Sequence, residues 1–178
     1  MLRAINHSDK KIICCPAMCG TTYLHLQVLK TDNWEHIRGS ILIPSDYTIY
    51  KVIRNPIERF YSWYNVYVSG QGLYQDSNHI FIKNLLKEDN IEDWFQFFST
   101  VMHYDEHCAL QKYLHQFDNR FNLKNTKYIV SKQLKSIVHN TNEEYVEKYY
   151  NKICNGLEDK YLVNVYKDDL EWINSLEV

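Results

Sequence analysis

Two stretches of this chain combine residue types and spacing suited to holding phosphate or sulfate. The first runs Pro16-Ala17-Met18-Cys19-Gly20-Thr21-Thr22, after the apolar run Lys11-Ile12-Ile13-Cys14-Cys15. A helical pattern follows, with Tyr23, Leu26 and Leu29/Lys30 three and four residues apart. A strand that turns tightly into a helix leaves the first helical N–H groups unpaired, and the helix dipole adds partial positive charge there. Gly20 permits close approach of backbone to a ligand, and Thr21 and Thr22 can add hydroxyl donors. A Gly-Thr pair serves equally well as a plain helix cap, so this segment by itself supports both readings.

The second stretch runs from Tyr50 through Arg54, Pro56, Glu58, Arg59 and Ser62 to Tyr64. Arg54 ends a β-rich run over Tyr47 to Ile53, and Pro56 sits where proline is tolerated, in the first turn of a helix reaching about Val68. Arg59 and Ser62, three residues apart, share a helical face. A guanidinium at a strand end beside a helix N-terminus can fork onto a phosphate, with Ser62 adding a hydroxyl bond. The competing fate of Arg54 is a surface pair with Glu58.

The elements that must position these groups alternate. Lys11–Cys15, Tyr47–Ile53 and Lys127–Ser131 read as strands, with a further short strand at Leu162–Val165. Helices are expected at Thr21–Lys30, from Pro56 to Val68, around Ile80–Leu86 and Ile91–Met102, over Lys132–Val138 and Asn142–Cys154, and at the end of the chain to Ser175. Gly70 to Asn78 reads as a loop. Strands separated by helices argue for an α/β domain with a parallel sheet and crossovers. No repeat, low-complexity tract or linker divides the 178 residues, so residues 1–178 read as one domain.

Composition narrows the function classes. With 45% apolar and 15% aromatic residues the chain can bury a real core, and a formal charge of −2 gives no global field for nucleic acid. An anion must then be held by a local arrangement of donors. The five cysteines, an odd number without a framework, read as reduced thiols. Met1 to Lys11 is polar and charged without a signal-peptide run, and no stretch approaches the ~18 apolar residues of a membrane helix. The expectation is a cytoplasmic protein with no membrane or nucleic-acid partner. A zinc site from Cys14, Cys15, Cys19 and His25 is disfavoured, because adjacent strand residues face opposite ways.

The pattern Arg54-x-Pro56-x-x-Arg59-x-x-Ser62-x-Tyr64 after an apolar strand resembles the 3′-phosphate motif of sulfotransferases that use 3′-phosphoadenosine-5′-phosphosulfate (PAPS). Pro16 followed by Gly20-Thr21-Thr22 looks like that family's 5′-phosphosulfate loop. Weaker echoes of the carbohydrate sulfotransferases lie at Asp105–Gln111, where Leu110 replaces a proline, at Tyr128–Leu134 and at Val165–Glu171. The resemblance spans nearly the whole chain, and its second motif is the specific one. It implies a P-loop-like three-layer domain, a short central parallel sheet flanked by helices. It also implies that Met18, Cys19, Gly20, Thr21 and Thr22 wrap the 5′-phosphosulfate while Arg54, Ser62 and Arg59 serve the 3′-phosphate end. The implied reaction moves the sulfuryl group to an acceptor hydroxyl on a saccharide, releasing adenosine 3′,5′-bisphosphate without a metal. His107 is the first candidate base, with Glu106, Asp105 and His103 as alternatives.

One departure matters. Where the family carries lysine directly after the proline, this chain has Ala17. Loss of one transition-state donor typically costs ~100- to 1,000-fold in rate. Ala17 is then an engineered replacement, or a natural one with its task taken by Lys10, Lys11, His25 or Arg59, or the mark of a donor-binding protein without transferase activity. A P-loop kinase is disfavoured because the Gly-x-x-x-x-Gly-Lys-Ser/Thr pattern is absent.

Overall fold

The structure, a computed structural model, describes residues 1–31, 33–39, 41–67, 107, 109–116, 124–141 and 157–176. The β-branched pair Ile12-Ile13 centres strand β2 (Lys11–Cys15), which stops at Pro16 because proline has no N–H for the ladder. Strand β1 (Leu2–Asn6) pairs antiparallel with β2, Asn6 lying opposite Lys11. In the connection Asn6 Oδ1 accepts the N–H of Asp9, three residues on, at 2.9 Å, and Lys10 takes φ +52°. The polar reading of Met1 to Lys11 overlooked this hairpin. In β1 the apolar residues are split between the two faces, Leu2 and Ala4 on one and Ile5 on the other.

Strand β3 (Glu35–His36) adds antiparallel to β1, while β4 (Thr48–Ile53) and β5 (Thr126–Val130) add in parallel on the other side of β2. The sheet order is β3-β1-β2-β4-β5. The fold is therefore mixed α/β, with a sheet that is parallel through β2, β4 and β5 and antiparallel through β1 and β3. The wholly parallel sheet expected from the alternation gives way at this side because β1 and β2 are joined by a four-residue turn, too short for a parallel crossover.

Pleating divides the core. Ala4, Ile13, Cys15, Val52 and Ile129 face one side, with Ile5, Ile12, Cys14 and Ile49 on the other. Cys14 and Cys15 thus point opposite ways, as their adjacency requires. Over the first face lies α1, Thr21–Tyr23 widening into a π turn over Leu24–Val28, which brings Tyr23, Leu24 and Val28 into the core. Helix α2 (Pro56–Tyr67) follows β4, and α3 (Gln111–Gln116) covers the second face, where the Lys51 ammonium donates to the His115 carbonyl at 3.0 Å. Helix α4 (Leu134–His139) follows β5 through a 3₁₀ turn at Ser131–Gln133 and joins the first face through Leu134 and Val138.

Helices α5 (Leu157–Val165) and α6 (Lys167–Asn174) end the described chain. The strand expected at Leu162–Val165 is the last part of α5. The aliphatic residues invited a strand reading, yet burial recurs at Leu162, Tyr166 and Asp169, the helical period, while Val163 is 43% exposed. Helix α6 packs on α3, with the Trp172 ring 6.0 Å from His115 and 5.6 Å from Tyr128. The loop expected at Gly70–Asn78 and the helices expected around Ile80–Leu86, Ile91–Met102 and Asn142–Cys154 lie outside the described residues. Among the described residues, no helix is long and apolar enough to cross a membrane.

Candidate functional site

The two phosphate-type motifs meet at the C-terminal ends of the neighbouring parallel strands β2 and β4. After β2 the chain makes a tight turn, the Cys19 N–H donating to the Pro16 carbonyl at 3.2 Å. Met18 takes φ +63° and Gly20 φ +102°, so the loop turns left-handed twice before α1 begins. For Gly20 that conformation is free of strain, while for Met18 it costs ~1 kcal/mol or more. Ala17, Cys19 and Gly20 are buried, Met18 and Thr21 half-buried, and Thr22 exposed. The first turn of α1 and its threonines thus lie toward solvent above a buried loop floor.

After β4, Asn55 caps α2: its Oδ1 accepts the N–H groups of Ile57 at 2.9 Å and Glu58 at 3.4 Å, with Pro56 at the first helical position. This cap fixes the angle between strand end and helix. It places the Arg54 Nη1 where it donates both to the Met18 carbonyl at 2.9 Å and to Ser62 Oγ at 2.8 Å. Arg54 is 3% exposed and Ser62 fully buried. The Glu58 carboxylate lies 3.7 Å from Arg54 Nε, its side chain 48% exposed, so the pairing foreseen as the competing fate of Arg54 occurs alongside the bonds to the loop and Ser62. Half in water, that pair is worth little and is open to replacement by another anion.

Arg59 is fully buried one helical turn further on. Its Nε donates to the Ala17 carbonyl at 3.0 Å and its Nη1 to the Ala109 carbonyl at 2.6 Å. One guanidinium therefore braces the first loop from beneath and ties it to the segment leading into α3. His107 is a half-buried turn residue of that segment, two positions before Ala109. Asp105, Glu106 and His103 lie outside the described residues.

Of the four cations considered as substitutes at Ala17, the structure separates the two lysines from it. Lys10 pairs with Asp46 at 2.7 Å, and Lys11 donates to the Ile137 carbonyl at 3.0 Å and to Asn140. Both stand at the opposite end of β2, about 20 Å of extended chain from Ala17. His25 lies on the exposed face of α1. Arg59 is bonded to the carbonyl of residue 17.

Two residues stand at the centre of this arrangement without having been assigned a part from sequence. The Gln111 carboxamide is bonded to the main chain of Arg54, Oε1 accepting the N–H at 2.9 Å and Nε2 donating to the carbonyl at 2.8 Å. Asp169 accepts the N–H groups of Gln111 and Lys112 at 2.8 and 2.9 Å, capping α3 from α6. Burial raises the Asp169 carboxyl above its ordinary range, opposed by those two N–H bonds and by the charge of Arg59. Both lie in segments that echo the carbohydrate sulfotransferases, Gln111 closing Asp105–Gln111 and Asp169 within Val165–Glu171, but spacing along the chain gave neither a role, since their partners lie 57 to 92 positions away.

Among the described residues, no group of three or more His, Cys, Asp or Glu side chains is placed to hold a metal ion. Comparison with protein-family models, with curated proteins and with solved structures yields no match.

Proposed function

We propose that this chain is a PAPS-dependent sulfotransferase built on a P-loop-like core, acting on an acceptor hydroxyl of a saccharide. The observation that carries the reading is the Arg54 guanidinium, which reaches the first loop at Met18 and the second motif at Ser62 from a single nitrogen. Two segments 36 and 8 residues away in sequence are thereby parts of one site. The donor set suits a nucleotide bearing anions at both ends: threonine hydroxyls and helix N–H groups on one side, a guanidinium and a serine on the other. A left-handed Met18, a strained backbone at the same loop, fits a site shaped for a ligand.

In this reading the first turn of α1, with Thr21 and Thr22, holds the phosphosulfate, and Arg54 with Ser62 holds the 3′-phosphate in place of Glu58. PAPS supplies an activated sulfuryl group. The acceptor oxygen forms the new S–O bond as the S–O bond to the 5′-phosphate breaks, and His107 accepts the acceptor's proton. The chain's part is alignment and charge stabilisation. Arg59 backs the loop from beneath, bonded to the Ala17 carbonyl, so its charge would act on the departing phosphate through the loop rather than by direct contact.

Ala17 favours a second reading, a PAPS- or adenosine bisphosphate-binding protein without transfer activity, because its methyl group offers no donor. Thermal unfolding with adenosine 3′,5′-bisphosphate and with ATP–magnesium tests the site itself. At a hundredfold excess over Kd, the bisphosphate is expected to add ~2.7 kcal/mol, a rise of roughly 5–10 °C, with no rise for ATP–magnesium. Absence of a bisphosphate shift removes both readings, and a larger shift with ATP–magnesium favours a kinase. Transfer of radiolabelled sulfate to mixed glycans separates the enzyme from the binding protein.

A further inference from the structure

The peptide group of Arg54 lies just past the end of the sheet. The β4–β5 ladder closes at Ile53 opposite Val130, and the β2–β4 ladder closes earlier, at Lys51 opposite Cys14. A buried peptide beyond its ladder still needs a donor and an acceptor. Gln111 provides both. A carboxamide has the same one-acceptor, one-donor face as a neighbouring strand, and here it forms the bidentate pair with Arg54 at 2.9 and 2.8 Å. The same Oε1 accepts the Cys19 thiol at 3.4 Å, so one side chain holds the strand end and the floor of the first loop together. Gln111 is fully buried, and its own backbone is fixed by Asp169 from α6.

We infer that Gln111 is a positioning residue for the anion site: by clamping the Arg54 main chain to Cys19 it fixes the direction in which the Arg54 guanidinium leaves β4. This inference rests on the donor-binding reading above and names the device that sets its 3′-phosphate end. Ser62 and Met18 receive the guanidinium, but their bonds are formed by a long side chain whose root must first be held. The Asn55 cap holds α2 relative to the strand, and the carboxamide holds the residue between them. The last turn of the device is Asp169, which brings a residue far along the chain to bear on the same site.

Gln111→Met in the full-length chain tests this, since methionine keeps the length of the side chain and removes both hydrogen-bonding atoms. Two readouts are needed. The first is amide hydrogen exchange at Arg54 and along Thr48–Ile53; the second is affinity for adenosine 3′,5′-bisphosphate and for adenosine 5′-phosphate, which lacks the 3′ group. The expected result is Arg54 exchange at least tenfold faster with Thr48–Ile53 unchanged. Bisphosphate affinity then falls roughly tenfold, while affinity for the monophosphate stays within twofold. Unchanged Arg54 exchange overturns the inference. So does an equal weakening of both nucleotides, or loss of protection throughout Thr48–Ile53, either of which assigns Gln111 a purely structural role. If Gln111→Met does not fold, Gln111→Asn, one methylene shorter and still polar, replaces it with the same expectations. A native chain that binds neither nucleotide defeats the donor-binding reading instead, and the exchange measurement still decides whether Gln111 fixes Arg54.

Discussion

Replacing His115 by glutamine is expected to remove about 2 kcal/mol of acid sensitivity between pH 7 and pH 5. His115 is fully buried beneath α6, its Nε2–H donating to the Val52 carbonyl at 2.9 Å. Its Nδ1 is buried without a hydrogen-bond partner among the described residues. Burial is the largest cause that lowers its pKa from 6.5 to about 3; the bond to Val52 opposes the shift, and the charges of Lys51 and Arg59 add to it. The unfolded imidazole takes up a proton as pH falls through 6.5, whereas the folded one stays neutral until about 3. The stability at stake is therefore fully present above pH 6.5 and lost as pH falls below it. At ~1.4 kcal/mol per unit, the gap sets a ceiling of ~5 kcal/mol, of which ~2 kcal/mol falls between pH 7 and pH 5. Glutamine can still donate to the Val52 carbonyl but does not titrate. Urea midpoints for the native chain and His115→Gln at both pH values give the comparison, because other groups titrate alike in both. An equal loss in the two proteins would refute the assignment of a neutral, buried His115.

Two predictions test the proposed sulfuryl transfer. Ala17→Lys is expected to raise the sulfuryl-transfer rate well beyond tenfold by restoring a donor at the leaving phosphate; single-turnover transfer with radiolabelled PAPS measures it, and an unchanged rate in a folded protein removes residue 17 from the catalytic account. His107→Ala is expected to abolish turnover while leaving bisphosphate affinity within about twofold, as judged by calorimetry. A general base contributes ~100- to 10,000-fold, so loss of affinity together with turnover would assign His107 a structural part.

Much of the scaffold was legible along the chain because its causes are local. Strands β2, β4 and β5 follow from short β-branched runs, and the start of α2 follows from Pro56, whose fixed φ acts locally; the Asn55 cap beside it was found in the structure. The tight turn between β2 and α1 and the opposite faces of Cys14 and Cys15 are local for the same reason. Local cues failed where two elements explain a pattern equally well. Leu162–Val165 reads as a strand by composition, and only its packing, with Leu162 and Tyr166 inward and Val163 outward, makes it a helix. Strand β1, Leu-Arg-Ala-Ile-Asn, lacked an apolar run, and so the β1–β2 hairpin was missed.

The sequence by itself determined the types of group available to hold an anion, their order, and the strand-to-helix turns that carry them, since these depend on neighbours a few residues apart. Tertiary structure alone decided which groups converge. It set Arg54 against Met18 and Ser62, buried Arg59 under the loop rather than at its mouth, sent Lys10 and Lys11 to the far end of β2, and placed Gln111 and Asp169 behind the site. The physical reason is that such contacts join residues as far apart as Cys19 and Gln111, 92 positions, and their geometry follows from how the sheet stacks its helices rather than from any preference encoded near either partner.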